Sequence, residues 1–151
     1  MMRIALAVGM AALAAGASAT TVEELKAKAA ALVAQMTVEE KCAQLRNEAP
    51  AIPRLGIPAY NYWSEALHGV GRNGRATVFP MPIGMAASFD PALVREIADA
   101  IATEGRIKHA ASVKLGNGWR WCTGLTFWSP NINIFRDPRW GRGMETWGED
   151  P

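Results

Sequence analysis

The sequence has 151 residues and a formal net charge of +2, with half its residues hydrophobic and a fifth charged. That composition is globular and gives no electrostatic case for nucleic acid or for an anionic substrate. Six tryptophans are many for this length, and each is a flat apolar surface with one donor, suited both to an ordinary core and to stacking on sugar rings.

Residues 1–19 read as a secretory signal peptide. Arg3 supplies a positive start, Ile4 to Ala15 an uncharged apolar run, and Ala17-Ser18-Ala19 a small-x-small cleavage site. The run is about a dozen residues, short of the ~20 that a membrane-spanning helix needs. A cleaved leader is therefore favoured over a retained anchor. The expected mature chain begins at Thr20, is periplasmic or secreted, and keeps no stable membrane span. It has 132 residues, enough for one core, and a charge of +1 once Arg3 is gone.

Val22 to Met36 predicts an amphipathic helix, because Val22, Leu25, Ala29, Leu32, Val33 and Met36 recur at helical spacing. Thr21 with Glu24, and then Thr37 with Glu40, have capping-box spacing. The second box opens a short helix to about Arg46 that is expected to bury Val38, Cys42 and Leu45. Cys42 and Cys122 form no recognisable framework, so Cys42 reads as a small hydrophobe rather than half of a bridge. No spacing of His, Cys or carboxylates suggests a metal.

Pro50 to Pro58 is an irregular stretch punctuated by proline. Ala59 to Trp63 predicts a strand, Ser64 to Gly69 a turn out of it, and Gly69 to Pro82 a loop. Asp90-Pro91 is an N-cap followed by proline at the first helical position, and opens a helix to about Lys108. That helix is expected to bury Leu93, Val94, Ile97, Ile101 and Ile107, with Gly105 weakening its end. Leu125 to Trp128 predicts a second strand and Ile132 to Phe135 another extended piece. Strands alternating with helices give an α/β class with parallel strands.

Two segments could carry chemistry. The first is Tyr62-Trp63-Ser64-Glu65-Ala66-Leu67-His68-Gly69, in which a carboxylate and an imidazole lie beside aromatic rings. Such groups can bind sugar hydroxyls while a ring stacks on the sugar face. Spacing alone leaves open an ordinary helix start, with Glu65 solvated and His68 on a backbone carbonyl. The second runs from Arg136 to Pro151 and packs three arginines, four carboxylates and two tryptophans into sixteen residues. An arginine fork can lock a loop onto carboxylates or reach two vicinal hydroxyls.

These segments, with Gly56-Ile57-Pro58, Phe79-Pro80 and Asn131-Ile132-Asn133-Ile134, strongly resemble the front of family-3 glycoside hydrolases. The resemblance runs from about Val22 to Pro151. It implies a retaining exo-β-glycosidase whose (β/α)8-like barrel comes first and an α/β sandwich second. Its aspartate nucleophile lies on a later barrel strand and its acid/base glutamate in the second domain. Neither motif is in this sequence, so no catalytic residue is assigned. A barrel of this type takes ~250 residues, so residues 20–151 are expected to be an incomplete barrel. The expected partners are a carbohydrate substrate and the missing C-terminal part of the same chain, with no nucleic acid. Retaining chemistry runs on carboxylates and water, so no cofactor is implied.

Position by position, the resemblance assigns Glu65 and Arg142 to hydroxyls of the terminal sugar. It leaves Trp63, His68, Arg136, Asp137 and Glu145 as supporting residues, with Glu149 and Asp150 also reading as loop scaffold. Glucosidases of the family commonly carry aspartate at the Glu65 position. The Ser-Glu-Ala-Leu-His-Gly form resembles the β-xylosidase and arabinosidase branch. The extra methylene pushes the carboxylate toward where a glucose hydroxymethyl would lie, and xylose lacks that group. The expected function is removal of terminal β-linked xylose or glucose from oligosaccharides, with these 151 residues alone inactive. The alternative is a non-catalytic sugar-binding or truncated pseudoenzyme product. A β-N-acetylglucosaminidase suits the Glu65 loop poorly.

Overall fold

Two threonines open two helices by the same local device. The computed structural model describes residues 20–150, and the signal segment expected over residues 1–19 lies outside them. α1 (Val22–Gln35) and α2 (Val38–Gln44) each begin with a capping box. The hydroxyl of Thr21 or Thr37 accepts the backbone N–H of Glu24 or Glu40, whose carboxylate accepts the threonine N–H in return. The chain divides into two compact units, one ending at Met36 and one beginning at Thr37. In the first, the described part is α1, and none of its residues is buried.

In the second unit the expected apolar face of α2 is corrected. Val38, Cys42 and Leu45 are all exposed, Leu45 by 88%. The helix is fastened instead by its polar stripe. Gln44 Nε2 donates to Pro50 O at 2.8 Å, and Arg54 pairs with Glu40.

Downstream of α2, β1 (Glu48–Ala49) pairs antiparallel with β2 (Tyr60–Asn61), Glu48 opposite Asn61 and Ala49 opposite Tyr60. A 3-10 turn at Pro53–Leu55 lies between them. The strand expected over Ala59 to Trp63 is thus shorter, and its ladder partner is antiparallel. The expected parallel pairing survives as a single bridge, Ser64 to Phe127, where Trp128 N–H donates to Ser64 O at 2.9 Å. Leu125 to Trp128 forms no strand beyond that bridge, and Ile132 to Phe135 forms none. One backbone bond is not a ladder, and a strand requires a run of them.

The loop after Gly69 ends at α3 (Pro82–Ala86), which the sequence reading did not foresee, with proline at the first helical position. α4 (Pro91–Lys114) starts as expected, with Asp90 Oδ1 accepting the N–H groups of Ala92 and Leu93. It then continues to Lys114 rather than stopping near Lys108. Gly105 does not end it, because this glycine serves packing. A Cβ there would sit 2.9 Å from Phe127 Cζ, so the missing side chain lets Phe127 lie on the helix. α4 lies in the chain between Tyr60–Ser64 and Phe127, and the parallel Ser64–Phe127 bridge joins the segments on either side of it.

The apolar face of α4 is also corrected. Val94, Ile97 and Ile101 are half-buried, Leu93 and Ile107 are exposed, and the buried positions are Gly105 and Ser112. A cavity of about 500 Å³ explains this: Val94, Ile97 and Ile101 line it together with Leu125, Phe127 and Trp147. Among the described residues the buried apolar side chains are few: Ala49, Ile52, Ala66, Val70, Pro82, Met85 and Cys122. Both cysteines are free thiols. Burial, then the neighbouring Glu65 charge, pushes the Cys122 thiol above its ordinary value. Among the described residues no helix is long and apolar enough to cross a membrane.

Candidate functional site

Alternation along the chain puts Trp63 and Glu65 on the same side of the segment leaving β2. The indole Nε1–H of Trp63 donates to Glu65 Oε1 at 2.9 Å, and Arg72 Nε donates to Glu65 Oε2 at 2.9 Å. The carboxylate is thereby held at both oxygens while 35% of its side-chain surface stays accessible. The Trp63 bond, and then Arg72, hold its carboxyl below the ordinary carboxylate range against the opposing effect of burial. An ionised carboxylate has about four acceptor positions. Two are filled here, so hydroxyl donors can take the rest.

The aromatic residues around Glu65 are ordered among themselves. Trp63 stacks on Trp128 with ring centroids 5.2 Å apart and planes 20° from parallel. Trp128 Nε1–H donates to Tyr62 O at 2.9 Å. Ser64, between Trp63 and Glu65 in the chain, is buried and donates its hydroxyl to Gly124 O. Arg72 also lies 5.3 Å over the Trp121 ring. Its backbone has a φ of +57°, unusual for a side-chain-bearing residue. Gly71 makes the approach possible, since its N–H donates to Glu65 O and a Cβ there would meet Glu65 Cβ at 3.2 Å.

His68 faces away from this cluster. Its Nδ1–H donates to Phe79 O at 2.9 Å, and Phe79 N–H donates back to His68 O at 2.8 Å. The tautomer follows from the partner, because a carbonyl can only accept. From the other side, α4 holds the same loop. Glu104 accepts from Thr77 N–H and hydroxyl, and Lys108 Nζ donates to Asn73 O and Arg75 O.

The second segment is a chain of tight turns closed by Phe135 N–H donating to Gly148 O at 2.9 Å. Arg139 forks onto Asp137, whose carboxyl is held below its ordinary range by that contact. Arg142 opens the 3-10 turn Gly143–Glu145 and forks onto Glu145, Nε to Oε1 at 2.8 Å and Nη2 to Oε2 at 2.5 Å. That pairing raises the guanidinium further above its ordinary value, so Arg142 is always a cation. Its side chain is 69% exposed while Glu145 is only 19% exposed. The fork therefore orients Arg142 and leaves other N–H donors facing outward. Beneath it, Thr146 is fully buried with its hydroxyl on Gly143 O. The turn packs against α3. Arg136, Glu149 and Asp150 are exposed.

Glu65 and Arg142 thus each stand on their own support, and no hydrogen bond or ion pair joins them among the described residues. Neither lines the cavity along α4 nor a larger one, of about 900 Å³, beside β1 and β2. Arg72, Trp121 and Trp128 are the contributors that the sequence reading left out. Trp128 was read only as part of a strand, and nothing local marks Arg72 as a partner for a carboxylate.

Residues 10–151 match the family model described as the glycosyl hydrolase family 3 N terminal domain. A xylan 1,4-β-xylosidase of Xylanibacter ruminicola is 46% identical over 155 residues, covering 98% of this chain and 17% of that protein. A relative in Arabidopsis thaliana, named "Probable beta-D-xylosidase 6", is 50% identical over 137 residues, covering 84% of this chain and 16% of the relative. Among solved structures, a GH3 exo-β-xylosidase in complex with a xylobiose aziridine activity-based probe matches with a TM-score of 0.67 and 42% identity. That match covers 83% of this chain and 16% of the other. The chain spans about a sixth of the length of these relatives.

Proposed function

The chain belongs to glycosyl hydrolase family 3, matched over the family's N-terminal domain, and on that premise we propose that it forms the front of an exported, retaining exo-β-xylosidase. The single observation that carries the reading is the Glu65 carboxylate, ionised, about one-third accessible and fixed at both oxygens by Trp63 and Arg72. In that role Glu65 accepts hydrogen bonds from outer hydroxyls of the terminal sugar, and Arg142, oriented by Glu145, donates to hydroxyls of the same ring. Trp63, His68, Arg136, Asp137 and Glu145 support the two loops. Residues 20–151 then begin a (β/α)8-like barrel, with the nucleophile and acid/base supplied elsewhere in a longer chain. The relatives' names, their length and the parallel Ser64–Phe127 bridge on either side of α4 support this reading.

Preference for xyloside over glucoside rests on the length of Glu65. Its carboxylate, one methylene farther out than an aspartate, occupies space that a hydroxymethyl would need. Full-length enzyme assayed with nitrophenyl β-xyloside and β-glucoside is expected to favour the xyloside in kcat/KM by about tenfold or more, the scale of one misfitting group. A tenfold preference for the glucoside would overturn the assignment.

Export rests on residues 1–19. Mass spectrometry of the mature protein from the periplasm or medium is expected to show Thr20 as its first residue. A cytoplasmic product that still begins at Met1 would contradict it.

A further inference from the structure

We propose a second sugar-binding cleft on this chain, separate from Glu65 and Arg142, that takes a stretch of β-linked oligosaccharide. The cavity of about 900 Å³ beside β1 and β2 has walls suited to it. Tyr60, Trp119 and Trp121 contribute aromatic faces, and Arg46, Arg120 and Asn47 contribute polar groups. Flat rings match the apolar C–H faces of pyranose units, while guanidinium and amide groups match their hydroxyls. Trp119 and Trp121 are 45% and 47% exposed. The two indoles, on either side of Arg120 in the turn, keep nearly half of their surface accessible.

The cleft is anchored although its rings are exposed. Asn61 is buried, its N–H donates to Trp119 O at 2.9 Å, and its side-chain oxygen accepts from Trp63 N–H at 2.9 Å. Arg120 lies 5.6 Å over the Trp119 ring, so a cation backs the indole. The Trp119 turn is therefore tied to β2 through its backbone while its ring remains available. A nucleic acid is a poor fit, since Glu48 also lines the cavity beside the arginines. A wholly apolar ligand would leave those polar groups without partners. The size of the cavity admits more than one sugar unit.

Choosing xylo-oligosaccharide as the ligand rests on the proposed function, whereas the cleft itself rests on its own residues. Trp121 is shared, because Arg72 stacks on it and also holds Glu65, so Trp119 is the residue to alter. Xylohexaose and cellohexaose are titrated calorimetrically into full-length enzyme with saturating xylose filling the terminal-sugar site. Binding of at least one hexaose is expected, weakened roughly tenfold in W119A and restored in W119F. Turnover of nitrophenyl β-xyloside is expected to stay within about twofold of wild type in both variants. No binding of either hexaose, or equal binding by W119A, overturns the cleft. So does a joint loss of binding and turnover that W119F fails to restore, since Trp119 is then structural. Absent nitrophenyl xyloside turnover in the wild type counts against the proposed function instead, while the titration still reads the cleft.

Discussion

Replacing Glu65 by alanine in the full-length enzyme is expected to lower kcat/KM for nitrophenyl β-xyloside by about a hundredfold. A carboxylate accepting two sugar hydroxyls makes charge-assisted bonds worth about 1.5 kcal/mol or more each, and about 2.7 kcal/mol is a hundredfold in rate. The substitution also strands its supports, because Trp63 Nε1–H and Arg72 Nε both donate to Glu65. Glu65→Gln keeps the length and one carbonyl acceptor, and should fall between alanine and wild type. The pH dependence has a definite sign. The folded pKa of Glu65 is depressed, so the stabilisation it brings is present above the ordinary carboxylate range. That stabilisation is lost as pH falls through the depressed value. The difference in melting temperature between wild type and E65Q should accordingly shrink on acidification below about pH 4. Unchanged kcat/KM in E65A would remove Glu65 from the sugar site.

What the sequence made legible was local. Both capping boxes and the Asp90-Pro91 helix start lie within three or four residues of chain, and each appears as read. The end of α4 was not legible, because Gly105 answers to Phe127, distant in sequence, rather than to its own helix. The apolar faces of α2 and α4 were misjudged for a related reason. Periodicity tells which side of a helix is apolar, but burial also needs a layer to cover it. Phe89 and Ile132, 92% and 90% exposed, are further apolar groups without such a layer among the described residues.

The candidate site divides along the same line. Glu65 and Arg142 could be picked out through their motifs, and Glu145 stands three residues from Arg142 in helical-turn reach. Arg72 reaches Glu65 only because Gly69, Gly71 and a positive φ at Arg72 itself fold the loop back. Trp128 meets Trp63 where the Ser64–Phe127 bridge brings two segments distant in sequence together. Support for a site comes from tertiary neighbours, and a linear motif names the tip of the arrangement without its base.

That dependence is sharpest at Gly69. Gly69→Ala is expected to destabilise the loop by roughly 3 kcal/mol, combining backbone strain with overpacking. The residue has a φ of +133°, and an added Cβ would lie 2.2 Å from Thr77 O. Thr77 cannot easily retreat, since Glu104 holds its N–H at 3.0 Å and its hydroxyl at 2.6 Å. On either side of Thr77, Lys108 binds Asn73 O and Arg75 O, and Phe79 is bonded to His68 at both ends. Gly74→Ala is the control, with a φ of +69° and nothing nearer than Lys108 Nζ at 3.9 Å. It should cost only about 1 kcal/mol. Limited proteolysis within residues 70–78 and kcat/KM together read the effect, because a displaced loop also releases Arg72 from Glu65. Equal behaviour of the two variants would refute the clamp. Its pH dependence follows from Glu104, whose carboxyl the Thr77 bonds hold below its ordinary value. A depressed carboxylate loses its grip as pH falls through that lowered value. Thr77 is then free to move, and the penalty of Gly69→Ala should narrow in acid while that of Gly74→Ala stays level.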